Sequence, residues 1–285
     1  MLIGTRKVGI GYPPFLIAEA SINHQGSIDQ ALAMIHVAKQ SGCDAVKFQT
    51  FKAEDVCDPK QMYTYGKITE PRIDIFRRCE LPETAWPILK AECDKIGIMF
   101  MSTPETPADL DILLKVGISV IKIGSDNLTN LPMLRYCARD EVGLPVIIST
   151  GMSDMGELRR ALWILDNPII MVCTSQYPCS IDSLNLRRIT YLLAEFNASE
   201  IGFSDHSLGS VAAPLALASG ASVFETHFTL DNNLPGPEHW WAKNPSGLES
   251  WVTDIKDAYT MMGSGELSLG KTDLENKMQY QRRVS

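Results

Sequence analysis

Residues 203–228 read FSDHSLGSVAAPLALASGASVFETHF, and this stretch has the form of one strand–helix–strand unit. Two short apolar runs flank a segment of helical period over 208–219. Short strands that alternate with helices are typical of parallel α/β sheets. The two runs end in the sequences SDH and ETH, which leaves two alternatives for His206 and His227. They form a metal-binding pair, or they are polar residues that end neighbouring strands.

The same alternation repeats along the chain. Predicted strands cover 15–20, 45–49, 98–103, 119–124, 145–150, 168–173, 200–204 and 222–227. The first predicted helix follows the N-cap Ser27, whose capping-box partner is Gln30. Seven further helices are predicted at 82–96, 106–115, 130–139, 155–165, 182–195, 208–219 and 247–262. Eight such units over about 250 residues are typical of a TIM (β/α)8 barrel. An open doubly wound sheet is the alternative, but no GxGxxG sequence follows the first strand.

Composition narrows the class of protein. The chain has 285 residues, of which 45% are hydrophobic, and a formal net charge of −8, which argues against a nucleic-acid or anionic-membrane partner. The seven cysteines form no CxxC pair and suit reduced thiols. No long apolar run is present, so we expect no membrane association and a cytoplasmic location.

The α/β pattern predicts a single TIM-barrel domain over 1–285. Its core would run from about residue 14 to 263, and 264–285 would form a tail or linker-like segment. Two stretches interrupt the regular alternation. Residues 50–79 are too long for a simple loop and are expected to cover the mouth of the barrel, and 231–244 follow the eighth strand.

Polar residues end every predicted strand, where TIM-barrel enzymes carry their catalytic groups. The series includes Glu19, Lys47, Gln49, Thr103, Lys122, Ser125, Ser149, Ser175, Tyr177, Ser204, His206, Glu225 and His227. Individual serines at such places are often only helix caps. Lys47 and Lys122 interrupt apolar strands, so they either pair with Glu19 or Glu225 or bind a phosphorylated acid.

Four of the five histidines also fall at strand ends or in the loops that follow. His206 and His227 end adjacent strands, which lie about 5 Å apart in a sheet, so both imidazoles can reach one ion. Two histidines with carboxylates nearby suit Mn²⁺, Fe²⁺, Co²⁺ or Zn²⁺ better than Ca²⁺.

Eight motifs in register resemble those of the sialic acid synthase family, which includes N-acetylneuraminate, legionaminate and pseudaminate synthases and spore-coat polysaccharide relatives. They are IAEASINHQGSIDQALAMIHVAKQSGCDAVKFQTFKAEDV, MSTP, IKIGS, ISTGM, CTSQYP, IGFSDHSLG, FETHFTLD and GPEH. The resemblance implies a TIM barrel that condenses phosphoenolpyruvate with an open-chain sugar aldehyde. The products would be a 3-deoxy-2-keto (nonulosonic-type) acid and phosphate, and the cofactor a divalent cation, Mn²⁺ or Mg²⁺.

By the same resemblance, His206 and His227 are the metal ligands. The residues that would surround phosphoenolpyruvate are Lys47, Thr103, Lys122, Ser125, Ser149 and Ser204. Ser175 is a further substrate-binding candidate, at a position where some members have Asn and others Ser. Glu19 corresponds to the acid near the sugar aldehyde, and Tyr177 and Glu238 line the sugar side.

The chain departs from the family pattern on the sugar side. The chain reads GSDN at 124–127, so that Asn127 replaces a sugar-facing carboxylate. It also reads GPEHWWAKNP, in which Glu238 replaces an Asp and a Trp240–Trp241 pair follows. These changes predict retained chemistry with an altered acceptor.

The chain also ends where members of the family continue into a small antifreeze-like domain. The alternatives are a naturally short protein, a separate chain that supplies this domain, or a shortened piece; a homodimer is expected by analogy.

Two other functions compete with this one. A synthase of the 3-deoxy-octulosonate-8-phosphate type would need a second basic cluster for a phosphorylated sugar, which Arg72, Arg77 and Arg78 could supply. A barrel without its cap domain could instead be a non-catalytic partner.

Overall fold

The computed structural model describes residues 1–196 and 200–281, and in this part of the chain eight parallel strands form one sheet. The strands are β1 (Phe15–Ser21), β2 (Ala45–Thr50), β3 (Met99–Pro104), β4 (Ile121–Ile123), β5 (Val146–Ser149), β6 (Ile169–Val172), β7 (Ile201–Asp205) and β8 (Ala221–His227). Their order is β3-β2-β1-β8-β7-β6-β5-β4, and β3 also contacts β4. The sheet therefore curls into a single-domain TIM barrel, as the alternation predicts.

One helix follows each barrel strand. These helices are α1 (Ile28–Gln40), α2 (Ala85–Ile96), α3 (Pro107–Val116), α4 (Leu131–Cys137), α5 (Met155–Leu162), α6 (Arg187–Phe196), α7 (Ala212–Ala218) and α8 (Pro245–Met262). All eight predicted helices are confirmed, with ends that differ by a few residues. The segment predicted to be helical from 182 begins with a 3-10 turn at Ile181–Ser183 before α6.

Local sequence signals set several helix ends. The side chain of Ser27 accepts a hydrogen bond from the backbone N–H of Gln30, but the reciprocal half of the predicted capping box is not among the contacts of the described residues. A complete capping box is present at α3, where Thr106 and Asp109 bond each other's backbone N–H. Gly97 and Gly117 end α2 and α3 with φ of 72° and 86°, a conformation that favours glycine.

Two apolar layers hold the barrel together. The outer layer lies between the sheet and the helices and includes Phe48, Phe203 and Trp251. The inner layer fills the barrel and includes Ile17, Met101, Ile147, Met171 and Val223. Alternate side chains of a strand point to opposite faces, so each strand supplies both layers.

A short N-terminal hairpin closes the end of the barrel where the strands begin. Leu2–Ile3 pairs antiparallel with Arg6–Lys7, and Ile3 and Val8 are buried in the inner layer beside Phe15. The core thus extends ahead of residue 14.

Residues 50–79, called the covering segment from here on, fold over the opposite end of the barrel. They contain a short helix (Ala53–Val56), a hairpin (Met62–Tyr65 with Ile68–Pro71) and a second helix (Arg72–Cys79). Phe51 and Ile75 pack against Ile22 in a separate small core. The prediction that this segment covers the mouth of the barrel is confirmed by its residues on the cavity wall.

The tail beyond α8 carries one more helix, Lys271–Tyr280, whose side chains are all exposed. Within residues 1–196 and 200–281, none of the helices combines the length and apolar character that crossing a bilayer requires.

A buried hydrogen bond joins β7 to the last barrel helix. The indole Nε1 of Trp251 donates to Asp205 Oδ2 at 3.0 Å, and Asp205 Oδ1 accepts from the backbone N–H and the hydroxyl of Ser207. Asp205 is 1% exposed, so its carboxylate depends on these donors. The acid of the SDH sequence therefore belongs to the framework.

We expect Trp251→Phe to lower the free energy of unfolding by about 1–3 kcal/mol, because it removes one donor from a buried carboxylate. Urea denaturation measures this. Trp163→Phe is the matched control, since Trp163 is 91% exposed, and its unfolding free energy should stay unchanged. Equal stability of the two variants would contradict the assigned role.

Candidate active site

Strand alternation carries the polar residues into the barrel. Ile17 and Val223 face inward, and two positions later on the same face stand Glu19 and Glu225. One further step along β8 adds His227. The other strands place polar residues on the wall of the same cavity in the same way, namely Lys47, Gln49, Thr103, Lys122, Ser149, Ser175, Ser204 and His206. The carboxyl end of the barrel therefore holds a polar cavity above an apolar core.

The cavity has a volume of about 370 Å³. Its floor is the set of strand ends, and the covering segment and the loop at 231–244 complete its wall through Tyr63, Arg72, Phe76, Glu238 and Trp241.

A network of four buried charges occupies the floor. Lys47 Nζ lies 2.5 Å from Glu19 Oε2 and 3.6 Å from Glu225 Oε2, and it donates to Thr103 Oγ1 at 3.0 Å. Lys122 Nζ lies 3.5 Å from Glu225 Oε1. Two lysines thus balance two glutamates, so Lys47 and Lys122 both form ion pairs and face the cavity.

The pKa values of this network follow from burial and pairing. Burial opposes the charge of Lys47, but Glu19 and Glu225 outweigh it and raise the pKa of the lysine. Burial likewise opposes ionisation of Glu225, but Lys122 and Lys47 hold its pKa well below the ordinary range. Burial dominates at Glu19 and raises its pKa, although Lys47 opposes the shift.

His206 and His227 lie next to each other at the ends of the adjacent strands β7 and β8, with ring centroids 5.3 Å apart in an edge-to-face arrangement. His206 Nδ1 lies 2.7 Å from the backbone carbonyl oxygen of Thr174, and His227 Nδ1 lies 3.1 Å from Glu238 Oε2. Each Nδ1–H can donate to its oxygen partner, which makes Nε2 the nitrogen that a metal ion would contact, and metal-binding histidines are commonly oriented in this way. His206 Nε2 lies 3.1 Å from Ser204 Oγ, so a metal ion would take the place of that contact. Burial opposes the charge of His227, but Glu238 and the neighbouring glutamates outweigh it and raise the pKa of that ring, so a metal ion would also have to displace its proton.

The donor set fits a divalent cation with two protein nitrogens. Burial and the neighbouring His227 lower the pKa of His206 to about 3, so that its imidazole is neutral, as a metal ligand must be. Among the described residues, no cluster of three or more histidine, cysteine, aspartate or glutamate side chains is arranged around one metal position. Substrate and water would have to complete the coordination.

Aromatic side chains surround the histidine pair. The Tyr177 ring lies 4.4 Å from the His206 ring, and the Trp241 ring lies 5.0 Å from the His227 ring, centroid to centroid. Tyr177 and Trp241 are themselves 5.5 Å apart. Trp241 is buried and Trp240 is 56% exposed, so only one of the adjacent tryptophans belongs to this wall.

The structure brings the predicted site residues together with one exception. Asn127 is absent from the cavity wall, although it is among the described residues. Its amide Nδ2 instead donates to Glu105 Oε2 at 2.8 Å and to the Glu105 backbone carbonyl at 3.3 Å. The interpretation that Asn127 faces the substrate in place of a carboxylate is therefore corrected: Asn127 holds Glu105.

Two wall carboxylates, Glu105 and Asp126, were missed by the sequence analysis. Burial and the neighbouring charge and hydrogen bond of Asp126 raise the pKa of Glu105 to about 8. Both residues lie just beyond the ends of their strands. Their acidic character at that position was the available signal, but only the fold shows that they meet.

The arginines of the covering segment do not form one basic cluster. Arg77 pairs with Glu54 and Asp74, and Arg78 pairs with Glu70. Arg72 lines the cavity. The second basic cluster that a phosphorylated acceptor would need is therefore not assembled from these three residues.

Comparison with known proteins places the chain in a family. The model of the NeuB family matches residues 34–267. The chain belongs to the NeuB family. A NeuB-family relative, the N,N'-diacetyllegionaminic acid synthase of Legionella pneumophila, is 36% identical over 99% of this chain and 82% of its own length. An uncharacterised protein of Methanocaldococcus jannaschii is 41% identical over 93% of this chain and 76% of its own length.

A solved structure is also close to this NeuB-family barrel. The N-acetylneuraminic acid synthetase of Leptospira borgpetersenii, in complex with citrate, superposes with a TM-score of 0.87 at 30% identity. The alignment covers 99% of this chain and 98% of that one.

The Glu105 carboxyl gives this NeuB-family barrel a pH-dependent stability. Its folded pKa of about 8 exceeds the ordinary 4.5, so between these values the folded chain binds a proton that the unfolded chain has lost. Stability should fall as pH rises through this window. We expect Glu105→Gln to exceed the wild type in unfolding free energy by about 4 kcal/mol at pH 8 and by less than about 1 kcal/mol at pH 5.

Thermal or urea unfolding at several pH values checks this prediction. Glu83→Gln serves as control because Glu83 is exposed, and it should follow the wild type at every pH. A constant difference between wild type and Glu105→Gln across the window would show that this carboxyl does not titrate there.

Proposed function

We propose that this NeuB-family protein condenses phosphoenolpyruvate with the open-chain aldehyde of an unphosphorylated sugar. The products are a 3-deoxy-2-keto acid of the nonulosonic type and phosphate. The observation that supports this most directly is the convergence of Lys47, Lys122, His206 and His227 on one cavity. The enzyme would be a transferase of the synthase class to which its relatives' names refer.

Phosphoenolpyruvate binds at the floor of the cavity in this proposal. Lys47 and Lys122 supply positive charge, and hydroxyl groups of the wall supply hydrogen-bond donors. The hydroxyls are those of Thr103, Ser125, Ser149, Ser175 and Ser204. Placement of the anion next to Lys47 redistributes its contacts with Glu19 and Glu225, because the lysine cannot serve all three partners equally.

The histidine pair faces the acceptor aldehyde. A divalent cation such as Mn²⁺ or Mg²⁺ at His206 and His227 would act as a Lewis acid toward the aldehyde oxygen. Thr174 and Glu238 orient the two imidazoles through Nδ1, and the rings of Tyr177 and Trp241 pack against them.

Glu19 manages protons in the proposed reaction. The C3 carbon of phosphoenolpyruvate attacks the aldehyde carbon, and the aldehyde oxygen takes up a proton to become a hydroxyl. Water adds at C2 and loses one proton, and the C2–O bond to phosphate then breaks as the remaining hydroxyl proton passes to the leaving phosphate and the C2 ketone forms. The proton lost by the water needs a base, and the raised pKa of Glu19 suits a group that takes up and releases a proton. Glu19 Oε1 has no hydrogen-bond partner among the described residues, which leaves it available for this contact.

The acceptor proposed is an N-acetylmannosamine-like or related hexose or hexosamine. The Legionella relative, a diacetyllegionaminic acid synthase by name, supports an acyl-amino sugar. A phosphorylated acceptor is less favoured, because Arg77 and Arg78 are engaged in ion pairs and the carboxyls of Glu105 and Asp126 line the wall.

A non-catalytic role is less favoured because the charged floor and the histidine pair are intact. The homodimer, a separate antifreeze-like partner and the cytoplasmic location stay predictions.

Release of phosphate tests the proposed function. The protein is incubated with phosphoenolpyruvate, Mn²⁺ and a panel of free hexoses and N-acetylhexosamines, and we expect acceptor-dependent phosphate release with at least one sugar. Mass spectrometry should find the matching keto acid. No release with any aldehyde, together with no Mn²⁺ binding by calorimetry, would refute the proposal.

His206→Ala and His227→Ala should each abolish acceptor-dependent turnover and weaken Mn²⁺ binding measured by calorimetry, since each removes one of two nitrogen donors. Circular dichroism should remain that of the wild type, because neither ring belongs to the apolar layers. His36→Ala is the matched control, as its side chain is 49% exposed on α1. Loss of the folded spectrum in the two site variants would point to a structural role instead.

A further inference from the structure

Arg72 occupies an unusual place on the cavity wall. It is the first residue of the second helix of the covering segment and stands at the base of the hairpin formed by Met62–Tyr65 and Ile68–Pro71. Arg77 and Arg78 lie on the same helix but pair with carboxylates outside the wall. Arg72 is therefore the arginine of this segment that can reach a molecule in the cavity.

The Arg72 side chain is held in position by neutral groups. Its backbone N–H donates to the carbonyl oxygen of Gln61 at 2.8 Å, and its Nη1 donates to Gln61 Oε1 at 3.0 Å. The guanidinium carbon lies 4.9 Å from the centroid of the Phe76 ring. A guanidinium carries five N–H donors, so this arrangement fixes the group and leaves donors for a ligand.

The charge of Arg72 has no counterpart in the described residues. Within residues 1–196 and 200–281, no carboxylate forms an ion pair with it, whereas Lys47 and Lys122 are balanced by Glu19 and Glu225. A partly buried cation without an anion has lost hydration that a ligand's oxygen atoms can replace. Apart from the N–H that Gln61 accepts, the guanidinium of Arg72 therefore has donors available for the oxygen atoms of a ligand.

The upper wall of the cavity shows which end Arg72 serves. Arg72 and Tyr63 of the covering segment line this wall together with Glu238, whereas Lys47 and Lys122 belong to the strand ends that form the floor. Glu238 Oε2 lies 3.1 Å from Nδ1 of His227. Arg72 therefore lies on the wall away from the proposed phosphoenolpyruvate position, where the proposed function places the acceptor.

We infer that Arg72 is a specificity-determining residue for the acceptor. Its free N–H groups donate to neutral oxygen atoms, hydroxyl or amide carbonyl, at the end of the sugar remote from the aldehyde. This inference rests on the proposed function, since it needs a sugar in the cavity. Neutral oxygens fit better than a phosphate, because the other two arginines of the segment are paired elsewhere.

The test compares Arg72→Gln with Arg77→Gln by steady-state phosphate release, with phosphoenolpyruvate, Mn²⁺ and N-acetylmannosamine or the best sugar of the panel. Arg72→Gln should raise the acceptor KM about 10- to 100-fold, as expected for lost hydrogen bonds from a charged donor, with the phosphoenolpyruvate KM nearly unchanged. Arg77→Gln should match the wild type, because its exposed ion pairs contribute little. Arg72→Lys keeps the charge but not the planar fork, and should restore only part of the acceptor affinity.

Several outcomes would overturn the inference. An unchanged acceptor KM in Arg72→Gln, or equal rises in the KM of both substrates, would exclude a specific contact with the sugar. A wild-type preference for N-acetylmannosamine 6-phosphate that disappears in Arg72→Gln would assign Arg72 to a phosphate and refute the neutral-oxygen assignment. Failure of the wild type to release phosphate with any sugar refutes the proposed function itself, and is thereby distinguished from failure of the inference.

Discussion

The charged floor of the barrel is the constraint on which the rest of the site depends. Three members of this floor, Lys47, Glu19 and Glu225, come from the neighbouring strands β2, β1 and β8, and Lys122 comes from β4 across the barrel. Each of the four is at most 3% exposed. A buried charge without a partner is costly, so the four are tolerable only as a balanced set. Any one of them alone would oppose folding, and the barrel supplies the geometry that brings them together from four different strands.

This balance also shapes the chemistry that the cavity can perform. A floor with no net charge does not repel an anionic substrate, and its two lysines are the cations that such a substrate would contact. The neighbouring histidines are oriented by separate oxygen partners, Thr174 and Glu238. The site thus offers two lysine cations and two imidazole rings within one cavity, a combination that suits an anionic substrate and a divalent cation together.

The strand–helix–strand unit at 203–228 shows how one stretch serves both framework and site. Ser204, His206, Glu225 and His227 face the cavity. Asp205 and Thr226, on the opposite face of their strands, bond Trp251 and the backbone of β7. The acids of the two sequences therefore have different roles, because Asp205 and Glu225 lie on opposite faces of their strands. The acid of SDH stabilises the packing of α8, and the acid of ETH balances the lysines.

The sequence by itself determined the barrel, because strand and helix periods, caps and turns are local properties that repeat eight times. It also determined the floor of the site, since the two-residue period of a strand decides which polar residues follow the inward apolar ones. It did not determine the upper wall. Asn127 was predicted to face the substrate, but its amide donates to Glu105. Arg72 lines the cavity, whereas Arg77 and Arg78 of the same helix pair with carboxylates outside it. These positions depend on how the covering segment and the loops pack over the barrel, through contacts between residues far apart in sequence, and only the tertiary structure fixes such contacts.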